Sequence, residues 1–356
     1  MSSLTSITGL ETNELETRLN QLEQPGYRAA QVLDWIYSKG ALDFESMTNL
    51  PATLRKELAN HFTISPLHAV EGNRSGDTTR KYLFKLQDAR YIETVLIPAS
   101  PALYGSKSDR YTLCVSSQVG CAYGCKFCAS GLDGFTRNLE AGEITAQVLA
   151  VSRQSGKKIN NIVFMGMGEP LANLKNLLKA ISIINAPWGI GIGARHMTVS
   201  TSGLAPQIRK FADYPLQVRL AVSLHGASDE VRETIMPVNK KYPIDELLDS
   251  LHYYNSKKKQ KITFEYILIE DINDSIEQAQ LLSSIASSLK AKVNLIPHNK
   301  VEGLPWKRPS ENIQEAFLKA LTSRGIQATL RREKGHDIEA ACGQLRLQKE
   351  RGEKAI

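Results

Sequence analysis

The sequence lacks any apolar stretch long enough to cross a bilayer, and it contains few cysteines. No apolar run approaches the ~20 residues that a spanning helix needs. The first residues, MSSLTSITGLETNELETRL, are polar and acidic, whereas a signal peptide is basic and then apolar. We therefore expect a cytoplasmic protein with no membrane contact. In that compartment its five cysteines are expected as metal ligands, reactive thiols or core residues rather than as a disulfide framework.

Short repeats and low-complexity segments are also absent. The 356 residues are 42% hydrophobic and 23% charged, which predicts a globular protein with a sizeable core. The formal net charge is +7 and the pI is about 9.0. This balance suits an anionic partner such as nucleic acid, although a solvated basic surface would give the same numbers.

The first 70 residues carry helical patterns. Residues 28–37 place Ala29, Val32, Leu33 and Ile36 on one face, and a second helix opens near Pro51 with Leu54, Leu58 and Phe62 at helical spacing. Residues 71–77, EGNRSGD, have the composition of a loop and mark the expected boundary. Beyond them, 81–86 and 91–97 are predicted to be two strands joined by a turn.

From residue 111 onward, apolar strand patterns alternate with helical ones. The predicted strands are 111–115, 161–165, 196–200, 217–223, 261–268, 291–296 and 326–330. Repeated strand–helix units predict a parallel sheet whose chemistry lies at the carboxyl ends of the strands. Six units are too few for an eight-fold barrel, so we expect an α/β fold with an incomplete (β/α)6 barrel. The predicted divisions are a helical accessory domain (1–72), a β extension (73–106), the core (107–337) and a C-terminal segment (338–356).

Three cysteines, Cys121, Cys125 and Cys128, follow the first core strand within eight residues. Zinc sites usually need two separated ligand pairs, and no second C-x-x-C or H-x-x-H occurs. A four-iron cluster normally takes four cysteines. The compact trio therefore suggests a cluster with one iron open to a further ligand, the alternative being three buried cysteines brought together by chance.

The C-x-x-x-C-x-x-C spacing, with Phe127 before the last cysteine, resembles the signature of the radical-SAM superfamily. The resemblance implies a [4Fe–4S] cluster on these three cysteines. Its open iron would bind the amino and carboxylate groups of S-adenosylmethionine (SAM) and cleave it reductively to a 5′-deoxyadenosyl radical. It also implies that the incomplete barrel is a radical-SAM barrel.

Polar residues follow the other predicted strands as well. Gly166-Met-Gly-Glu-Pro170 resembles the superfamily's GGEP-type motif, which contacts the SAM amino group, although by itself it could be a turn. Further polar ends are 199–203, 223–225 and 296–299, where a single histidine such as His225 is more often structural. The residues expected around SAM are Gly168, Glu169, Ser200, Ser223, Leu224, His225 and Asn299.

Several longer segments are similar to the RlmN/Cfr family of RNA adenine methyltransferases. They are CVSSQVGC (114–121), GFTRNL (134–139), MGMGEP (165–170), SLH (223–225), MPVNKK (236–241), AACGQL (340–345) and YRAAQVLDWIY (27–37). The resemblance covers essentially the whole chain. It implies methylation of an adenine at the peptidyl-transferase centre of 23S rRNA, at C2 in the RlmN branch and at C8 in the Cfr branch. The RlmN branch also methylates a tRNA adenine beside the anticodon in many bacteria. The segments 92–98 and 134–139 look more like RlmN.

The resemblance also assigns roles to the remaining cysteines and to one glutamate. Cys342 would take a methyl group from one SAM, and a second SAM would generate the radical that activates it. Glu93 would accept the proton from the adenine, and Cys114 would release the product by forming a transient disulfide with Cys342. The implied cofactors are one [4Fe–4S] cluster per chain and two SAM per turnover. The implied partners are 23S rRNA, tRNA and a reductant such as flavodoxin or ferredoxin, and the protein would be a monomer.

Two basic runs could meet RNA phosphates, although most such runs are only solvated. The first is Lys257, Lys258, Lys259 and Lys261, and the second, just before Cys342, is Arg331, Arg332 and Lys334. Two alternative functions remain open at this stage. A radical-SAM peptide maturase would carry more cysteines for auxiliary clusters, and a non-enzymatic iron–sulfur RNA-binding protein would not need the 166–170 loop.

Overall fold

The fold is built around one ten-stranded sheet. In the computed structural model, the described residues are 4–74, 79–99, 109–131, 134–299, 304–331, 345, 346 and 349, with only the backbone described at 71–74. The strands are β1 Thr5–Ser6, β2 Phe62–Thr63, β3 Leu67–Arg74, β4 Arg80–Leu86, β5 Tyr91–Pro98, β6 Tyr111–Cys114, β7 Gln118–Gly120, β8 Phe135–Asn138, β9 Asn161–Phe164, β10 Met197–Thr201, β11 Arg219–Ser223, β12 Thr263–Leu268, β13 Lys292–Pro297 and β14 Ala328–Leu330. The order in the large sheet is β14-β13-β12-β11-β10-β9-β6-β5-β4-β3.

Helices connect the strands. They are α1 Thr12–Gln21, α2 Arg28–Tyr37, α3 Ala52–His61, α4 Ala141–Ser155, α5 Leu174–Asn185, α6 Ala205–Asp213, α7 Asp229–Ile235, α8 Ile244–Lys257, α9 Ile276–Ser288 and α10 Glu311–Thr322. Local sequence explains their ends. Glu140 and Glu143 form a capping box at the start of α4, and Gly156 ends that helix in the left-handed conformation. Within the described residues, none of the helices is both long and apolar enough to cross a membrane.

The parallel half of the sheet confirms the predicted α/β core. Strands β6 and β9 to β14 are parallel neighbours, and helical segments make the six connections between them. The predicted strands agree with the observed ones to within two residues at each end. Buried and half-buried residues alternate along β9, β10 and β13, so one face of these strands lies in the core and the other is more open.

The antiparallel half continues the same sheet through β5, β4 and β3. The two predicted strands of the β extension are confirmed. The loop predicted at 71–77 is wrong in its first part, because β3 pairs with β4 as far as Arg74. The boundary predicted between residues 72 and 73 therefore falls inside a strand. The turn-forming composition of this segment was outweighed by the free edge of β4, which offers the backbone a ladder of hydrogen bonds.

The N-terminal helices enclose a separate core. Ala29, Val32, Leu33 and Ile36 of α2 are all buried there, as predicted. Phe62 is buried too, but it begins β2 instead of extending α3. This core joins the barrel along α4 and α5, where the Glu14 carboxylate pairs with the Lys179 ammonium at 2.6 Å.

Candidate active site at the carboxyl ends of the strands

A cavity of about 390 Å³ opens at the carboxyl ends of the parallel strands, and all seven of them contribute to its wall. The lining residues from these strand ends are Cys114, Val163–Gly166, Ser200–Ser202, Ser223, His225, Glu265, Ile267, Ile296–Asn299 and Arg331. In a flat sheet, six spacings of about 4.8 Å would separate the outer strands by ~29 Å. The parallel strands must therefore curl around the cavity as an incomplete barrel.

The three clustered cysteines lie in the loop between β7 and β8, and all three line the cavity. The loop is fixed by its own backbone, since the amide of Cys121 donates to the Gly134 carbonyl at 2.9 Å. Gly120 begins the loop with a φ of +74°, and a Cβ there would lie 1.9 Å from the Gly134 carbonyl oxygen. Only glycine permits this turn. The backbone thus aims all three thiols into the same space.

The Cys121 and Cys125 thiols are expected to stay protonated at neutral pH unless a cation binds to them. Burial raises the pKa of Cys121 to about 12 and that of Cys125 well above its ordinary value. The thiolates therefore need a bound cation to form at neutral pH. Among the described residues, no three His, Cys, Asp or Glu side chains surround a single ion. An iron–sulfur cluster does not need that arrangement, because each of its irons takes a thiolate of its own. The loop fits such a cluster.

Glu169 is a buried carboxylate at the start of a 3₁₀ turn, Pro170–Asn173. One oxygen accepts from the Leu171 amide at 3.0 Å and the other from the Ser202 amide at 2.7 Å. Burial raises its pKa, while these hydrogen bonds favour the charged form. Within the described chain, no lysine or arginine pairs with it. An ammonium group reaching it from the cavity would supply the missing charge, which fits the amino group of SAM.

His225, at the end of β11, has its imidazole ring held in a single neutral tautomer. Its backbone has a φ of +57°, and its Nδ1 accepts from the Ile267 amide at 3.0 Å. Nε2 therefore carries the ring proton, and burial lowers the pKa of His225 to about 3. The ring also meets Phe127 of the cysteine loop edge to face, with centroids 4.7 Å apart. His225 is thus a neutral donor that joins the strand end to the cysteine loop.

The other predicted SAM residues divide into two groups. Gly168, Ser200, Ser223 and Asn299 line the cavity. Leu224 does not, because its side chain is buried in the core and only its backbone is engaged, the amide donating to the Glu265 carbonyl at 3.1 Å. Gly168 has a φ of +101°, and a Cβ there would lie 2.5 Å from Gln118. The approach of this loop to β7 therefore requires glycine.

The residues predicted around SAM did not include Glu265 or His298, although His298 lies in the polar strand end 296–299 identified from the sequence. Glu265 is buried in β12 and accepts from Asn294 Nδ2 at 3.0 Å, and burial raises its pKa. His298 is 2% exposed. Neither of its ring nitrogens, nor Asn299 Oδ1, finds a hydrogen-bond partner among the described residues. A ligand in the cavity would satisfy them. Glu265 could have been found from the sequence, as a carboxylate inside the apolar strand TFEYIL.

Cys114 and Glu93 lie on neighbouring strands. Cys114 is buried at the end of β6 and pairs with Val95 of β5, which also lines the cavity. Glu93 lies two residues before Val95, so the two share a sheet face about 7 Å apart along the strand. The Glu93 carboxylate pairs with the Lys81 ammonium at 3.0 Å and accepts from the Arg346 amide at 2.6 Å. Glu93 is not part of the cavity wall. Cys342 lies outside the described residues.

The two basic runs differ in placement. Lys258 is buried, and its ammonium donates to the carbonyls of Tyr214 and Leu216, so it stabilises the fold and is not a surface cation. Arg331 reaches the cavity, whereas Arg332 and Lys334 lie outside the described residues. Of the residues in these two runs that the structure describes, Arg331 alone lines the cavity.

Two family models match the chain. The radical SAM superfamily model matches residues 115–281. The ribosomal RNA large subunit methyltransferase N-terminal domain model matches residues 5–64, the helical unit at the start of the chain.

Relatives match over nearly the whole length. A probable dual-specificity RNA methyltransferase RlmN from Akkermansia muciniphila is 54% identical over 350 residues, covering 98% of each chain. The chain belongs to the RlmN family of radical-SAM RNA methyltransferases. A probable RlmN 3 from Opitutus terrae is 52% identical, covering 97% of this chain and 95% of its own. The solved structure of a radical SAM methyltransferase from Sphaerobacter thermophilus matches with a TM-score of 0.90 at 44% identity, covering 96% of this chain and 98% of its own.

RlmN family membership confirms the expected enzyme class. The protein is a SAM-dependent RNA methyltransferase of the radical-SAM type, and its superfamily implies SAM and a [4Fe–4S] cluster. The two alternatives left open by the sequence, a peptide maturase and a non-enzymatic RNA-binding protein, are thereby excluded.

Proposed function

We propose that this enzyme methylates C2 of an adenine in the peptidyl-transferase centre of 23S rRNA and C2 of the adenine beside the anticodon in tRNA. The relatives are named RlmN and dual-specificity, which supports the C2 branch and two classes of RNA. The further parts of the proposal are one cluster per chain, two SAM per turnover, flavodoxin or ferredoxin as reductant, and a cytoplasmic monomer. A barrel core at 107–337 and a C-terminal segment at 338–356 complete it.

The proposed cofactor sites follow from the cavity. Cys121, Cys125 and Cys128 would hold the cluster, which supplies the electron that cleaves SAM when both are bound. Glu169 would receive the SAM amino group, because it is a buried carboxylate that no lysine or arginine of the described residues neutralises. Gly168, Ser200, Ser223, His225 and Asn299 would complete the SAM pocket from the other strand ends, with Leu224 contributing only its backbone.

Two thiols and one carboxylate are proposed to handle the methyl group. Cys342 would carry it as S-methylcysteine. The methyl carbon would lose one hydrogen atom to the radical that the second SAM supplies, and it would then form a covalent bond to C2 of the adenine. Glu93 would take the proton from C2, and the remaining unpaired electron would return to the cluster. The Cys114 thiolate would then attack Sγ of Cys342, forming a disulfide while the carbon–sulfur bond breaks. The electron pair of that bond passes to the methyl carbon, which takes up a proton, and a thiol reductant must later open the disulfide.

The observation that carries this proposal is that the C-terminal segment is anchored beside Glu93. The Arg346 amide is fixed on the Glu93 carboxylate, and Leu345 packs against Leu83 and Tyr91. Cys342 precedes Arg346 by four residues, which span at most ~14 Å. Cys114 lies on the strand next to Glu93. This short separation from the anchored Arg346 therefore allows Cys342 to reach both Cys114 and a base in the cavity.

The decisive measurement is mass analysis of RNA from cells that lack the gene. These cells are complemented with the wild-type gene or with Cys342→Ala as the matched control. We expect 2-methyladenosine in 23S rRNA and in tRNA with the wild-type gene only. An 8-methyladenosine product would contradict the C2 assignment, and unmodified tRNA beside methylated rRNA would remove tRNA from the proposal.

A further inference from the structure

Arg232, in the short helix α7, is wholly buried at 0% exposure. Its guanidinium connects three separate segments. Nε donates to the Leu224 carbonyl at 3.0 Å, Nη1 to Asn239 Oδ1 at 2.7 Å and Nη2 to the Ser202 carbonyl at 2.5 Å. All three acceptors are neutral. The hydrogen bonds thus fix the guanidinium without compensating its charge.

No carboxylate pairs with Arg232 in the part of the chain that the structure describes. Asp229 is on the same helix, but its Oδ1 accepts from Asn239 Nδ2 at 2.7 Å and from the Ile244 amide at 2.9 Å. Burial lowers the pKa of Arg232 to about 10, so the group stays charged at neutral pH. Burying a cation without a direct counter-ion is costly, which indicates that an anion belongs nearby.

The cysteine loop is where that anion would lie. The amide of Lys126, between Cys125 and Cys128, donates to the Ile235 carbonyl at the end of α7 at 2.9 Å. Cys125 is also close enough to Arg232 for the two groups to interact electrostatically. On its other side, Ser202 connects Arg232 to Glu169. Arg232 therefore lies behind the cavity wall, between the proposed cluster ligands and the proposed SAM carboxylate.

We propose that Arg232 is the fixed counter-charge of the iron–sulfur cluster and raises its reduction potential. The proposal rests on the cluster assignment to Cys121, Cys125 and Cys128. Reduction adds one negative charge to the cluster, so a fixed cation stabilises the reduced form over the oxidised one. Arg232 acts through the cluster and touches no substrate, which makes it a positioning residue.

The test is an EPR-monitored redox titration of the reconstituted full-length enzyme without SAM. Arg232→Gln removes the charge, and Arg232→Lys keeps the charge but loses the guanidinium fork. Arg153→Gln is the matched control, because Arg153 is a half-buried arginine that bonds the Ala41 carbonyl away from the cavity. At an effective dielectric constant of ~20, a charge ~10 Å away changes a one-electron equilibrium roughly tenfold. We therefore expect the Gln variant to have a midpoint potential about 59 mV below wild type.

The Lys variant and the Arg153 control should keep the wild-type potential. An unchanged potential in Arg232→Gln would overturn the proposal. If the Gln variant does not fold, the Lys variant provides the test, because it keeps the positive charge. A potential about 59 mV below wild type in that variant would show that the hydrogen bonds of the guanidinium, and not its charge, set the potential. Loss of the cluster in Cys125→Ala establishes the ligand assignment separately, and a cluster that survives this change would overturn both proposals.

Discussion

Lys81 and Glu93 form an ion pair almost completely removed from solvent, with exposures of 0% and 2% and a nitrogen–oxygen distance of 3.0 Å. Replacing Glu93 by Gln leaves the shape of the site but removes the negative charge of the pair, and replacing Lys81 by Met removes the positive charge. Removing one partner of a buried pair costs about 3–5 kcal/mol. We expect a loss of this size in each single variant.

The size of the thermal effect follows from chain length. Unfolding entropy is about 2.1 cal/mol/K per residue, which gives ~0.75 kcal/mol/K for 356 residues. Each single variant should therefore melt ~4–7 °C below wild type. The double variant Lys81→Met/Glu93→Gln removes both charges of the pair, so it should be ~2 kcal/mol more stable than the sum of the single losses predicts.

The assay is calorimetry together with urea unfolding of all four proteins. The exposed pair of Lys39 and Asp34, at 2.9 Å, is the matched control. Asp34→Asn should cost less than about 1 kcal/mol. Single losses near 1 kcal/mol, or losses that simply add in the double variant, would refute the reasoning. The comparison of these four proteins also helps to interpret activity data. An inactive Glu93→Gln enzyme could have lost either its proton acceptor or its stability. The unfolding data measure the second effect directly.

Three further predictions concern the cavity. Glu169→Gln should weaken SAM binding at least tenfold in calorimetry while the iron content stays at the wild-type level, and unchanged affinity would make this loop only a turn. Cys114→Ala should stall with RNA attached to the protein, so that nuclease and trypsin digestion yields a nucleotide-bearing Cys342 peptide; full turnover would contradict the two-thiol scheme. The third concerns His225, whose pKa is lowered by burial from 6.5 to about 3 in the folded protein. The unfolded chain therefore binds a proton between these values that the folded protein does not, and stability should fall by up to about 1.4 kcal/mol per pH unit as pH decreases from 6.5. His225→Asn, which tolerates the positive φ, should lack this component in urea unfolding at pH 6.5, 5.5 and 4.5, and equal pH dependence in both proteins would count against a buried neutral imidazole.

The local periodicity of the chain was sufficient for most of the fold. Apolar side chains recur with strand and helix periods because one face of each element must be buried, and that pattern can be read without knowing the neighbours. The same reading failed at 71–77, where the segment became part of β3 because β4 offered it an edge. Whether a segment becomes a strand depends on the edge that a neighbouring strand offers it, and the composition of residues 71–77 alone does not contain that edge.

The sequence by itself determined the cysteine loop and the polar strand ends. These residues are close in sequence, or follow strands whose carboxyl ends must meet at one edge of a parallel sheet. Only the tertiary structure decided which side chains face the cavity: it buried Leu224, brought in Glu265 and His298, and paired Glu93 with Lys81. It also placed the uncompensated charge of Arg232 behind the cysteine loop. Charge compensation and exposure depend on all the elements that surround a group, so they become defined only when the whole chain is packed.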